Sequence, residues 1–156
     1  MLNQPAELQK KSCRFSGKRN RKWYIFVISP TRDLVFIKMY YPWPSEKVIT
    51  KTEVNSFLHT DLLEYLRNKK VTRLVIIGMQ THMCLEAAVR AAYDFGFDCV
   101  VISDACATKD LTFEGKTVPA EEVQTVVFAT ITKGGYSKVI DFKSFKKNSD
   151  TYIFKK

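Results

Sequence analysis

Apolar residues fall into short uninterrupted runs that alternate with amphipathic stretches. KWYIFVIS (Lys22–Ser29) has strand composition, and the Ser29-Pro30 pair that follows has turn chemistry. DLVFIKMYY (Asp33–Tyr41) is a second strand-like run, ended by Pro42 and Pro44. EKVITK (Glu46–Lys51) reads as a short strand. Thr60 is a good N-cap, and Leu62, Leu63 and Leu66 form the apolar stripe of a helix ending near Lys69 and Lys70. RLVIIGM (Arg73–Met79) is continuously apolar and β-branched, as a strand covered on both faces must be. MCLEAAVRAAYDFG predicts a helix with Gly96 as its stop, and DCVVIS (Asp98–Ser103) predicts another buried strand. Asp104–Val118 reads as a polar loop, Pro119 opens a helix through VQTVVFATIT, and KVID (Lys138–Asp141) is a last short strand.

Strands alternating with helices imply βαβ units and a mostly parallel sheet, hence an α/β fold. Ligands of such sheets bind beyond the carboxyl ends of the strands. The sequence QTHMC sits at that end of RLVIIGM, which makes it the first place to look for chemistry.

Composition narrows the class. With 156 residues, 46% of them apolar, the chain suits one domain with a real core. No apolar stretch approaches the roughly 18 residues that a spanning helix needs, and MLNQPAELQKK lacks the apolar segment of a secretory signal. Cys13, Cys84, Cys99 and Cys106 show no close C-x-x-C pair, so free thiols and a cytoplasmic location are expected. His82-x-Cys84 has no further ligands at useful spacing, which argues against zinc. The +9 net charge is uneven: seven basic residues but one acid, Glu7, lie between Met1 and Tyr24. Residues 1–21 read as a solvated, disordered basic tail. A nucleic-acid arm, a membrane-surface arm and a targeting peptide are the alternatives, and the segment lacks the interleaved aromatic and turn residues of a nucleic-acid binder.

Cys84 falls where a buried strand hands over to the first turn of a helix. Backbone N–H groups there lack intrahelical acceptors, and the helix dipole is positive. Both favour a thiolate over a thiol, and the same amides can hold a developing oxyanion. Taken alone, Cys84 could equally be a small buried hydrophobe. Cys99, inside an apolar run, and Cys106 fit packing roles better.

From VTRLVIIGM through to EEVQ, the chain resembles the isochorismatase-like superfamily of cysteine hydrolases, which includes nicotinamidases. The shared pattern is an apolar strand and a Gly, a Thr three positions before the Cys, an Ala-rich helix ending in Gly, and a strand ending in Asp-Ala. EKVITKTEVNSFLHTDLLEYL resembles the family's Lys-x-x-x-(Ser/Asn)-(Ala/Ser)-Phe segment. Together these motifs cover about residues 46–124. The resemblance implies a three-layer α/β/α, Rossmann-like domain over residues 22–156 and an Asp–Lys–Cys triad. Cys84 matches the nucleophile and Lys51 the lysine. The family's cis peptide would fall at Met79–Gln80, and the amides of Gln80 and Cys84 would form the oxyanion hole. Phe57, Thr81 and His82 are candidate substrate-pocket residues. The implied activity is hydrolysis of a small amide or related substrate, without a cofactor, in a homo-oligomer, with no membrane and no nucleic-acid partner.

One departure stands out. The family's first strand ends in apolar-apolar-apolar-Asp-x-Gln, and nothing here matches it. KWYIFVIS is the candidate for that strand, which puts Ser29 near the position of the Asp; a serine is no base at neutral pH. The helix that normally links the first two strands is missing, so the domain reads as shortened at its N-terminus. Asp33, the one Asp before Lys51, follows a turn. Altered or lost activity, a misassigned start, or an Asp33 reaching in from a rearranged loop are the three explanations. A catalytically impaired member acting as a scaffold or binding subunit is the alternative function, and a nucleic-acid-associated protein using the basic arm is a third.

Overall fold

A computed structural model describes residues 24–28, by their backbone, and residues 47–148. The elements in chain order are β1 (Tyr24–Ile28), α1 (Leu62–Asn68), β2 (Arg73–Met79), a single π-helical turn (Thr81–Leu85) running into α2 (Glu86–Asp94), and β3 (Asp98–Ala107). A hairpin of β4 (Leu111–Phe113) and β5 (Lys116–Val118) follows, then α3 (Ala120–Lys133), β6 (Lys138–Ile140) and α4 (Phe142–Lys147).

The main sheet has the order β1-β2-β3-β6, and every pairing in it is parallel. Parallel strands need crossovers, and crossovers lay helices on the faces. This explains why the central strands carry unbroken apolar runs, Leu74–Met79 and Cys99–Ile102, rather than alternating. The period of two splits their side chains between two cores. Leu74, Ile76, Cys99 and Val101 face Leu62 and Leu66 of α1, Leu85, Ala88, Val89 and Ala92 of the turn and α2, and Val127 and Ile131 of α3. Val75, Ile77, Val100 and Ile102 form the second core with Ala105 and with Phe145 of α4. Helices thus stand on both sides of the sheet, in the α/β arrangement expected from the sequence. Each fully buried aliphatic side chain contributes about 1.5–3 kcal/mol. The small residues Ala88 and Ala92 let α2 lie close on the sheet.

KWYIFVIS does supply the strand beside β2: Tyr24 to Ile28 run in register with Leu74 to Gly78. Ser29 and Asp33, like the basic tail and the apolar run Asp33–Tyr41, lie outside the described residues.

Three elements differ from the sequence reading. EKVITK is not a strand over its described part; residues 47–50 are irregular and lead into a series of turns. Lys47 and Thr50 flank the apolar pair Val48-Ile49, a pattern without the period of two, and no strand among the described residues takes their backbone hydrogen bonds. The supposed polar loop Asp104–Val118 holds the end of β3 and the β4–β5 hairpin. Glu114 (φ 47°) and Gly115 (φ 77°) turn that hairpin. Two positive φ values in succession are the signature of the tight turn that matches strand twist, and Phe-Glu-Gly-Lys was its visible signal. The third is α4, which follows β6 and is capped by Asp141, whose side chain accepts from the Ser144 amide.

One irregularity shapes the site. β2 pairs with β3 at Ile76↔Val101 and next at Gly78↔Cys106. β3 therefore spends three more residues than β2 over that interval, and Ile102 pairs instead with Ile140 of β6. Extra residues in one strand bend it and re-aim its end. Here they bring Cys106, Ala107 and Thr108 over the carboxyl end of β2. Gly78 sits at φ 135°, a conformation that side chains rarely adopt.

Candidate active site

The site forms where β2 ends. The Met79–Gln80 peptide is cis, at the position expected from the sequence, and Gln80 then opens the π-helical turn. The Gln80 carbonyl accepts from the amides of Met83 (3.0 Å) and Leu85 (3.3 Å). Cys84 lies within this turn, 6% exposed, and reaches the first core beside Leu85 and Phe57. The sequence put Cys84 in the first turn of an α-helix; the turn is the wider π form, a geometry common at functional sites.

Lys51 comes from the irregular segment before α1. Its Nζ donates to the Cys84 Sγ at 3.5 Å and to the backbone carbonyls of Glu53 (2.7 Å) and Val54 (3.4 Å). An ammonium has three protons, and three acceptors surround it. The segment that carries Lys51 is itself held by local bonds. Asn55 Oδ1 accepts from the Phe57 amide (3.0 Å), and Thr60 Oγ1 donates to the Ser56 carbonyl (2.8 Å). The Phe57 ring packs on Phe95 and Phe97, with centroids 5.3 and 6.3 Å away. Ser56 is buried, and its hydroxyl has no partner among the described residues.

The structure thus brings Lys51, Gln80 and Cys84 together. It places the three pocket candidates differently. Phe57 is a core residue that anchors the Lys51 segment, because its ring finds aromatic neighbours in the interior. Thr81 is fully buried, and its hydroxyl is used inside the protein: it donates to the Ala107 carbonyl (3.0 Å) and accepts from Gln124 Nε2 (3.3 Å). His82 is half-buried, with Nδ1 hydrogen-bonded to the Thr108 hydroxyl. Burial, and then the charge of nearby Lys109, hold its imidazole below the ordinary histidine range.

Sequence reasoning missed Gln124 and Thr108. Gln124 sits among the buried Val123, Val127 and Ile131 of α3, and a polar residue beside an apolar stripe was the available signal. Thr108 needed the β3 irregularity to reach the site, and no local pattern announces that. The other described thiols behave as packing groups. Burial pushes Cys99 and Cys106 each up to about 12, and both donate to backbone carbonyls, of Phe97 and Ile102 respectively. No carboxylate is hydrogen-bonded to Cys84 or Lys51 among the described residues.

Residues 9–132 match the family model described as the isochorismatase domain. The chain belongs to the isochorismatase family. An isochorismatase family protein of Bacillus subtilis, YddQ, is 43% identical over 106 residues, which cover 68% of this chain and 58% of that one. The crystal structure of an isochorismatase-family chain from Oleispira antarctica superposes with a TM-score of 0.66 at 39% identity, covering 69% of this chain and 56% of that one. The ureidoacrylate amidohydrolase of Agrobacterium fabrum is 28% identical over 75 residues, 48% of this chain and 33% of that protein. This isochorismatase-family chain therefore spans little more than half the length of the first two of these relatives. No helix among its described residues is long and apolar enough to cross a membrane.

Proposed function

We propose that the chain is a cysteine hydrolase acting on a small amide-type substrate, with Cys84 as nucleophile. The observation that carries this reading is the Lys51 ammonium 3.5 Å from the Cys84 Sγ, at the carboxyl end of a parallel strand. An adjacent positive charge stabilises a sulfur anion, and substrates of parallel sheets approach from this end. The amidohydrolase among the relatives supports an amide as the bond that is cleaved.

In this mechanism the Cys84 sulfur attacks the amide carbonyl carbon. The backbone N–H groups of Gln80 and Cys84 hold the oxyanion, the C–N bond breaks, and the amine leaves with a proton. Water then attacks the thioester, releasing the acid and restoring the thiol. The proton shed by the thiol must reach the leaving amine, a transfer that needs a base beside Cys84.

The second reading, a catalytically impaired member that binds small molecules, is favoured by the described site's lack of a carboxylate at Cys84. One experiment separates the two. The protein and Cys84→Ser are incubated with ureidoacrylate and a panel of small primary amides, with product release followed alongside intact mass. Turnover by the wild type but not by the variant supports the hydrolase. Binding or a lasting acyl adduct on Cys84, without turnover of any amide, supports the impaired member and rules out the first reading.

A further inference from the structure

We propose that Gln124, acting through Thr81, is a positioning residue that sets the nucleophile turn against β3. This rests on reading Cys84 as the nucleophile, and it adds a requirement from an element far away in sequence.

Gln124 lies on α3, forty residues beyond Cys84 in sequence. Both acceptors of its side-chain amide nevertheless belong to the site: Nε2 donates to Thr81 Oγ1 (3.3 Å) and to the Cys106 carbonyl (3.1 Å). A carbonyl only accepts, so the nitrogen must face it. The Thr81 hydroxyl has a single proton, and it goes to the Ala107 carbonyl (3.0 Å). Gln124 N–H, Thr81 O–H and the Ala107 carbonyl therefore form one directional chain, and each bond polarises the next. Thr81 is sealed from solvent, so water cannot replace a lost partner.

The chain fastens the turn at its first residue. The opening i to i+5 bond, Leu85 amide to Gln80 carbonyl, is 3.3 Å, longer than an ordinary helical bond, and the Glu86 amide closes a second one on the Thr81 carbonyl. Thr81 is the first residue of that turn and lies between Gln80 and Cys84, whose amides would hold the oxyanion. Fixing Thr81 to both α3 and the re-aimed end of β3 leaves the two amides one relative orientation. A small misplacement there costs far more in rate than in stability.

Two reactions of Cys84 isolate this effect. Acetylation by p-nitrophenyl acetate forms the S–C bond through a tetrahedral oxyanion and expels p-nitrophenolate; alkylation by iodoacetamide displaces iodide at sulfur and forms no oxyanion. The ratio of the two rates reads the oxyanion site independently of thiol exposure and reactivity. Thr81→Val and Gln124→Met keep shape and remove the polar links. Each is expected to lower the acetylation-to-alkylation ratio about tenfold or more, given that losing one oxyanion donor costs about 10²–10³. Thr81→Ser, which keeps the hydroxyl, restores the wild-type ratio. Gln124 is at the edge of the interior, so Gln124→Met carries the test even if Thr81→Val does not fold. A lowered melting temperature with an unchanged ratio overturns the proposal and leaves a purely structural bond. A wild-type Cys84 acetylated no faster than the same thiol in urea-unfolded protein overturns the nucleophile reading, and this inference with it.

Discussion

Replacing Lys51 by Met tests the electrostatic premise of the site most directly. Met has nearly the length of Lys but no charge, so the segment keeps most of its bulk. The ammonium stands 3.5 Å from the Cys84 sulfur. At that distance a unit charge lowers the energy of a sulfur anion by about 1 kcal/mol if screened as in bulk water. At an effective dielectric of about 20 the figure is about 5 kcal/mol. Lys51 is half-buried and Cys84 is buried, so the pair lies between those limits. Both numbers are discounted because the ammonium also donates to the carbonyls of Glu53 and Val54, which already offset part of its charge. A loss of roughly 10- to 100-fold in thiolate reactivity follows, about 1.4–2.7 kcal/mol. The assay is the second-order rate of iodoacetamide alkylation at pH 7 and low salt, read on the Cys84 peptide by mass spectrometry, with Cys84→Ser as the blank. A melting curve guards against a loosened fold. If Lys51→Met alkylates within about twofold of wild type while still folded, the ammonium does not activate this sulfur, and only the helix turn is left to do so.

Three further outcomes are expected. Because burial pushes Cys99 and Cys106 up to about 12, both stay protonated well above neutral pH, and a thiol reagent at pH 8 should spare them in the native protein. Peptide mapping that finds either labelled as fast as Cys84 contradicts this, whereas labelling of both after urea unfolding is the expected control. In the first core, Leu66→Ala should cost about 2–5 kcal/mol in urea denaturation, since its side chain is fully buried between α1 and the sheet; Phe113→Ser, on a residue 78% exposed in the hairpin, should shift stability by no more than about 0.5 kcal/mol.

The sequence by itself determined the parallel sheet, because Leu74–Met79 and Cys99–Ile102 are apolar at every step and only a strand covered on both faces can hide such a run. It also determined the junction that carries Cys84, because the handover from strand to helix is local and Gly96 marks the helix's far end. The motif match placed Lys51 as that thiol's partner, although its segment is irregular and only its local turns and the Phe57 anchor bring the ammonium to the sulfur. What tertiary structure decided are features that depend on one element's neighbours. EKVITK has the β-branched residues of a strand, but its described part pairs with no strand among the described residues, so it stays irregular. Three extra residues in β3 carry Ala107 and Thr108 to the Cys84 turn, and no pattern within β3 specifies which partner each stretch will choose. Gln124 reads as one polar residue on a helix until α3 docks and spends its amide on Thr81 and Cys106. Hydrophobic period fixes which face of an element is buried, but hydrogen bonds between elements depend on register and docking angle, and those are set only when the two cores close.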